Sequence, residues 1–282
     1  MTRYAAAGAL VALLIALPGD VAAATPRPGI AFTRTAYGPA LQQPDFRWQG
    51  RLEPGKTIEV RGVNGDIRAE RATGDAVEVT AVKRARRSDP ESVAIEVVPH
   101  EDGVTICAVY PSRRASRPNA CRPGGGSNNV RDNDVAVHFT VRVPAGVRLV
   151  AASVNGDVDA RDLASDVELT TVNGGVDVST TGLARASTVN GSIDAALGRT
   201  DWAGSLEFTT VNGSITVEVP EGLSADLEAT TVNGAISTDF PLTISGRLSP
   251  RRLRGTIGDG GRRLRLTTVN GAIRLRRGPP GA

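Results

Sequence analysis

Apolar and polar residues alternate along most of this chain, and the alternation recurs in blocks anchored on the triplet Val-Asn-Gly. The triplet occurs seven times, with its asparagines at Asn64, Asn155, Asn173, Asn190, Asn212, Asn233 and Asn270. From Asn155 onward the steps are 18, 17, 22, 21 and 37 residues. Leu253-Arg254-Gly255-Thr256-Ile257 keeps the shape of Val-Asn-Gly-x-Ile and reads as a worn copy dividing the long step. Aligned on Asn, three columns are apolar. Leu149, Val167, Ala184, Leu206, Leu227 and Leu264 form the first, and Ala151, Leu169, Ala186, Phe208, Ala229 and Leu266 the second. Val158, Val176, Ile193, Ile215, Ile236, Ile257 and Ile273 follow the Asn and form the third. A period of two on both sides of Asn-Gly predicts a strand, a corner and a second strand. No window carries the spacing of an amphipathic helix.

A repeat near 20 residues predicts stacked units. Two architectures fit the corner. One is a meander of β-hairpins, since Asn-Gly suits a type I′ turn. The other is a right-handed β-solenoid (β-helix) of short coils whose T-V-N-G-x-I corners stack. The solenoid explains more, because a hairpin turn gives no reason to repeat Thr-Thr-Val-Asn, whereas stacked Asn side chains each donate and accept along a ladder. The Gly would supply a left-handed backbone at no steric cost. The ladder is expected from Asn155, Asn173, Asn190, Asn212, Asn233 and Asn270, with Asn64 an isolated early copy.

Five segments follow. Residues 1–24 read as a signal peptide: Arg3 precedes the apolar run Ala5–Leu17, Pro18-Gly19 breaks it, and Ala22-Ala23-Ala24 offers a cleavage site. Residues 25–43 read as a flexible leader rich in Pro, Gly and Gln, and 44–134 as an irregular N-terminal β portion. Residues 135–277 are the regular solenoid array and 278–282 a tail. No Cys follows the cleavage site to take a lipid anchor, and no later run is apolar enough to span a membrane. The expected location is therefore exported: periplasm, cell envelope or extracellular.

Repeats such as Leu206-Glu207-Phe208-Thr209-Thr210-Val211-Asn212-Gly213-Ser214-Ile215, with Ile257-Gly258-Asp259-Gly260-Gly261 before the final copy, resemble the bacterial putative adhesin family. That family is a domain-of-unknown-function class of toast-rack-like envelope proteins, and the similarity runs over roughly Phe46 to Arg277. The resemblance implies a β-solenoid fold and an envelope location. It supplies no catalytic residues.

Composition narrows the chemistry. Aromatics make up 4% of the chain, so the core is built from small β-formers. Cys107 and Cys121 are the two cysteines, and export permits a disulfide closing a loop of about 15 residues, contributing about 3 kcal/mol. The alternatives are two buried free thiols or a metal site, which His100 and His138 do not complete at zinc-motif spacing. The column Asp159, Asp177, Asp194, with Asp157 beside it, is the one candidate for a hard cation, against a solvated outer face. No cofactor is expected. The Gly-rich stretch at Gly124 lacks the Lys-Ser/Thr and helix of a phosphate cradle. Short coils offer no cleft and the histidines no triad, which argues against an enzyme.

Charge is polarised: Ala151–Gly246 holds 14 acidic residues and 3 Arg, Arg247–Arg277 10 Arg and one Asp. Arg274, Arg276 and Arg277 would lie on the last coil, either protecting its open sheet edge or touching an anionic envelope surface peripherally. Nucleic acid is not an expected partner, because stacking aromatics are missing from the array. Trp202 is the single plausible sugar platform, unless it plugs a coil corner. The function expected is a non-catalytic adhesin or scaffold whose ligand is an envelope or surface polysaccharide or protein. The alternatives are an envelope-stress accessory acting through a protein partner, and a cation-dependent polysaccharide-active enzyme.

Overall fold

Each Thr-Val-Asn-Gly stretch turns the chain from one long sheet into another, so that every repeat lays one strand in each. The computed structural model describes residues 45–112, 116, 118–127, 129–130, 132–202, 204–244 and 249–278, which belong to the unit Gln42–Ala282. The predicted signal peptide, the leader and the tail beyond Gly278 lie outside them.

Strands of neighbouring coils pair in parallel. In one sheet Val158–Leu163, Val176–Thr180, Ile193–Leu197 and Ile215–Val219 lie side by side. In the other, Arg148–Ala152, Val167–Thr170, Ala184–Ser187 and Ser205–Thr209 do the same. Parallel pairing excludes the meander, whose adjacent strands would be antiparallel. The apolar columns fall into register: Leu149 faces Val167 and Val167 faces Ala184, while Val158, Val176, Ile193 and Ile215 follow one another across the other sheet. They are buried in one continuous core between the sheets. The one helical turn among the described residues is Pro90–Ser92, a 3-10 turn whose Glu91 N–H donates to the Asp89 carboxylate.

The order of the coils departs from the order of the sequence in two places. At one end, Thr57–Arg61 pairs with Arg148–Ala152 and Ile67–Arg71 with Val158–Leu163, so the early copy at Asn64 is the coil directly beneath Asn155. Antiparallel strands close this end: in one sheet Ala136–Val143 lies beside Ile67–Arg71, Ala76–Arg84 runs antiparallel to it and Phe46–Arg51 antiparallel to that in turn, and in the other Ala94–His100 pairs with Gly103–Val109. At the other end, the final coil (Arg263–Thr267 and Ile273–Arg277) is inserted between the Asn212 and Asn233 coils. The predicted worn copy is not a coil. Arg252–Ile257 runs antiparallel along Ala225–Thr230, and Ile257 is absent from the apolar column it was expected to join. Ile273–Arg277 is consequently an interior strand, and Arg274, Arg276 and Arg277 do not protect an open edge.

Charge gives a reason for the insertion. The outward residues of the second sheet form the column Glu168, Arg185, Glu207, Arg265, Glu228, Arg254, read from the strand registers. Signs alternate throughout, and opposed charges on directly facing residues stabilise a sheet. Stacked in sequence order, Glu207 would face Glu228. Arg265 separates them and lies 3.2 Å from Glu228, whose other oxygen is held by Arg254.

Candidate binding surfaces

The Asn-Gly corner is a ridge along the stack, and each letter of its motif has a separate task. Thr171, Thr188, Thr210, Thr231 and Thr268 point inward and are buried. Each Oγ1 donates to the carbonyl of a corner Gly in the adjacent coil, at 2.8 to 2.9 Å. Ser153 does the same to Gly65 on the first coil. The Asn amides donate one to the next: Asn155 to Asn64, Asn173 to Asn155, Asn190 to Asn173, Asn212 to Asn190, Asn270 to Asn212 and Asn233 to Asn270, at 2.7 to 2.9 Å. Asn64 is thus the first rung and Asn270 precedes Asn233. The Gly is required for a different reason from the one expected. A Cβ at Gly174, Gly191 or Gly213 would lie 1.9 to 2.1 Å from the carbonyl oxygen of the Gly below. Close backbone approach, not a left-handed φ, fixes the residue; of the ladder glycines Gly65, at φ +111, is the one held well inside the positive-φ region.

The Val of the motif points to solvent. Val154, Val172, Val189, Val211, Val232 and Val269 are 36 to 47% exposed and are six of the seven exposed large apolar residues among those described. They stand in single file beside the Asn ladder. Nothing in the alternation singled them out, because they sit at the corner where the phase slips.

On the first sheet, Asp159 faces Asp177 and Asp177 faces Asp194. Burial pushes the Asp159 carboxyl above its ordinary range, Arg161 pulls it down, and Asp177 adds an upward push. Arg68 lies 3.7 Å from Asp159 and Arg161 3.1 Å from Asp177, so cationic side chains already flank the column. Among the described residues no group of three or more His, Cys, Asp or Glu is placed to hold a metal.

Cys107 and Cys121 form a disulfide with Cα atoms 5.5 Å apart. It pins the short hairpin Ala120–Arg122/Gly125–Ser127 near the outward side of Gly103–Val109. Beneath it Glu59 is buried: desolvation raises its pKa, but bonds from the Gly124 N–H (2.9 Å), Arg61 and the Thr105 hydroxyl (2.8 Å) outweigh that and hold it below the usual range. The Gly124 N–H is therefore engaged by a carboxylate of the chain itself. His100 Nε2 lies 3.1 Å from Thr105 Oγ1, while His138 Nδ1 accepts from the Asp66 N–H, leaving the two histidines apart from each other.

Trp202 is 3% exposed and is not a sugar platform. It packs in the core, where its backbone carbonyl accepts from Arg262. The C-terminal arginines divide between the faces: Arg252, Arg254, Arg263 and Arg265 on the second sheet, Arg274 and Arg276 on the first.

These features define a parallel β-solenoid protein with ladder-built surfaces. The chain belongs to the Toastrack DUF4097 family, which it matches over residues 123–276, in keeping with the resemblance carried by the repeats. Among solved structures it is similar to a putative cell adhesion protein from Clostridium sporogenes, at 11% identity over 84% of this chain and 100% of that one, TM-score 0.43. It is also similar to a putative adhesin from Bacteroides fragilis, at 12% identity over 82% and 96%, TM-score 0.34. A putative adhesin from Parabacteroides merdae matches at 11% identity over 82% and 95%, TM-score 0.26. No curated protein matches the chain.

Proposed function

We propose that this is an exported, non-catalytic cell-envelope protein, an adhesin or scaffold that presents the solenoid as a long repetitive binding surface. The observation that carries the reading is the ridge of six exposed valines beside the Asn ladder. Single exposed apolar residues are ordinary on a soluble protein, whereas an aligned stripe marks a surface kept for contact. The disulfide supports export, since such bonds persist in oxidising compartments. The non-catalytic assignment is supported by the ion pairs of the outward columns, where Arg68, Arg161, Arg254 and Arg265 lie against Asp159, Asp177 and Glu228. Peripheral contact with an anionic envelope surface through Arg274 and Arg276 is a subsidiary part of the proposal.

The test exposes purified protein to a panel of envelope and host polysaccharides, with and without Ca²⁺, following both retention and release of soluble fragments. Retention without release is expected. Fragment release overturns the non-catalytic reading. Failure to be retained by any polymer, with capture by one membrane protein instead, replaces the adhesin with an accessory acting through a protein partner.

A further inference from the structure

The corner opposite the Asn ladder, where each coil passes from the first sheet to the second, carries a groove. It has a volume of about 400 Å³ and runs from Arg71 past Asp162, Ser179 and Ala196 to Glu218 and Gly278. These residues belong to six successive coils, and at about 4.8 Å per strand the groove is about 24 Å long. Its floor is closed by Leu163, Thr180 and Leu197, all buried.

The wall is shaped by a local exception to the repeat. Ala160 faces Val178 and Leu163 faces Thr180, so Arg161 and Asp162 together oppose Ser179, a β-bulge. Asp162 sits at φ +53, one of two non-glycine residues with positive φ among those described. Its N–H donates to Ser179 Oγ at 2.8 Å, and that hydroxyl donates back to Oδ1 at 3.4 Å. An unregistered residue in a sparsely populated conformation beside a groove is a device for aiming a side chain, and such outliers concentrate where ligands bind.

We infer that this groove is the seat of a linear glycan, neutral or bearing amino groups, lying along the stack axis. This rests on the surface-binding reading above and assigns it a site and a ligand class. The groove crosses coil after coil, which suits a polymer of regular repeat. The lining combines hydroxyl and carboxylate groups (Ser179, Thr181, Asp162, Glu218) with small apolar surface at Ala196 and Pro220, matching the mixed polar and apolar edges of sugar rings. Two carboxylates face one guanidinium, Arg71, so the charge disfavours an acidic polymer. An extended peptide adding itself as a strand is disfavoured too. Val158–Leu163, Val176–Thr180, Ile193–Leu197 and Ile215–Val219 are each paired on both sides and offer no free edge.

The experiment titrates the full chain by calorimetry with neutral linear gluco-oligosaccharides and N-deacetylated chito-oligosaccharides of increasing length. Affinity is expected to rise with length until the groove is filled. Ala196→Arg, a surface change that blocks the middle of the groove, should weaken binding by at least about tenfold. Asp162→Asn keeps a residue that tolerates the left-handed conformation, so it preserves the bulge while removing the charge; it should abolish any preference for the aminated series. Affinity independent of length, or unchanged in Ala196→Arg, overturns the assignment. Capture of extended peptides that is lost in Ala196→Arg overturns the ligand class. Retention on surface polysaccharide that Ala196→Arg leaves intact sinks the groove but spares the adhesin reading, whereas a wild-type chain retained by no glycan sinks both.

Discussion

Thr188→Val replaces a hydroxyl by a methyl group of nearly the same volume, at a side chain that is 4% exposed. The hydroxyl donates to the Gly174 carbonyl at 2.8 Å. Removing it leaves a carbonyl without its donor inside the corner, and an unsatisfied buried group costs about 1–3 kcal/mol. For a chain of this size that corresponds to a fall in Tm of about 2–10 °C. Thr188→Ser is the matched control, since Ser153 fills the same position in the Asn155 coil and still reaches Gly65 at 2.9 Å. It should recover most of the loss. Thr170→Val, exposed at the end of the paired strand in the neighbouring coil, should change stability by no more than about 0.5 kcal/mol. Urea unfolding followed by circular dichroism measures all three, with a shifted midpoint and an unchanged slope. A Thr188→Val protein as stable as the wild type would refute the reasoning, because the inward Thr would then be present for β-propensity alone.

Gly191→Ala places a Cβ 1.9 Å from the Gly174 carbonyl oxygen and should cost about 3 kcal/mol, the upper range of overpacking, whereas Gly74→Ala, with open space around it, should be close to neutral in the same urea series. Arg265→Glu puts three carboxylates in a row with Glu207 and Glu228; a loss of about 1–2 kcal/mol is expected that shrinks in high salt, and no loss would argue against the inserted order of the last coil. Asp134 accepts from the N–H groups of Ser88, Arg86 and Arg87, which hold its carboxyl down at about 2. Because this folded value lies below the unfolded one, its contribution is complete above about pH 4 and disappears as pH falls toward 2. Asp134→Asn should remove that part of the acid transition, measured as the midpoint of acid unfolding.

The repeat declared the fold through contacts that are local to each corner. An inward Thr, a stacking Asn, a Gly without a Cβ and a following Val or Ile make the same bonds to whichever coil lies below. Seven copies therefore specified parallel coils, an amide ladder and the core columns before any tertiary information was needed. The same uniformity hid the coil order. Every coil presents an equivalent edge, so the motif cannot say that Asn64 lies beneath Asn155 or that the Asn270 coil enters between Asn212 and Asn233. Those choices fall to residues outside the motif, such as Glu207, Glu228 and Arg265, whose alternation exists only once strands distant in sequence are neighbours. The worn copy misled for the same reason: Leu253–Ile257 has the spacing of a coil, but its strand pairs antiparallel with Ala225–Thr230. The groove at the second corner was equally invisible. It depends on one bulge at Asp162 and on how six coils align, and a backbone register is a property of the paired strands rather than of either sequence alone.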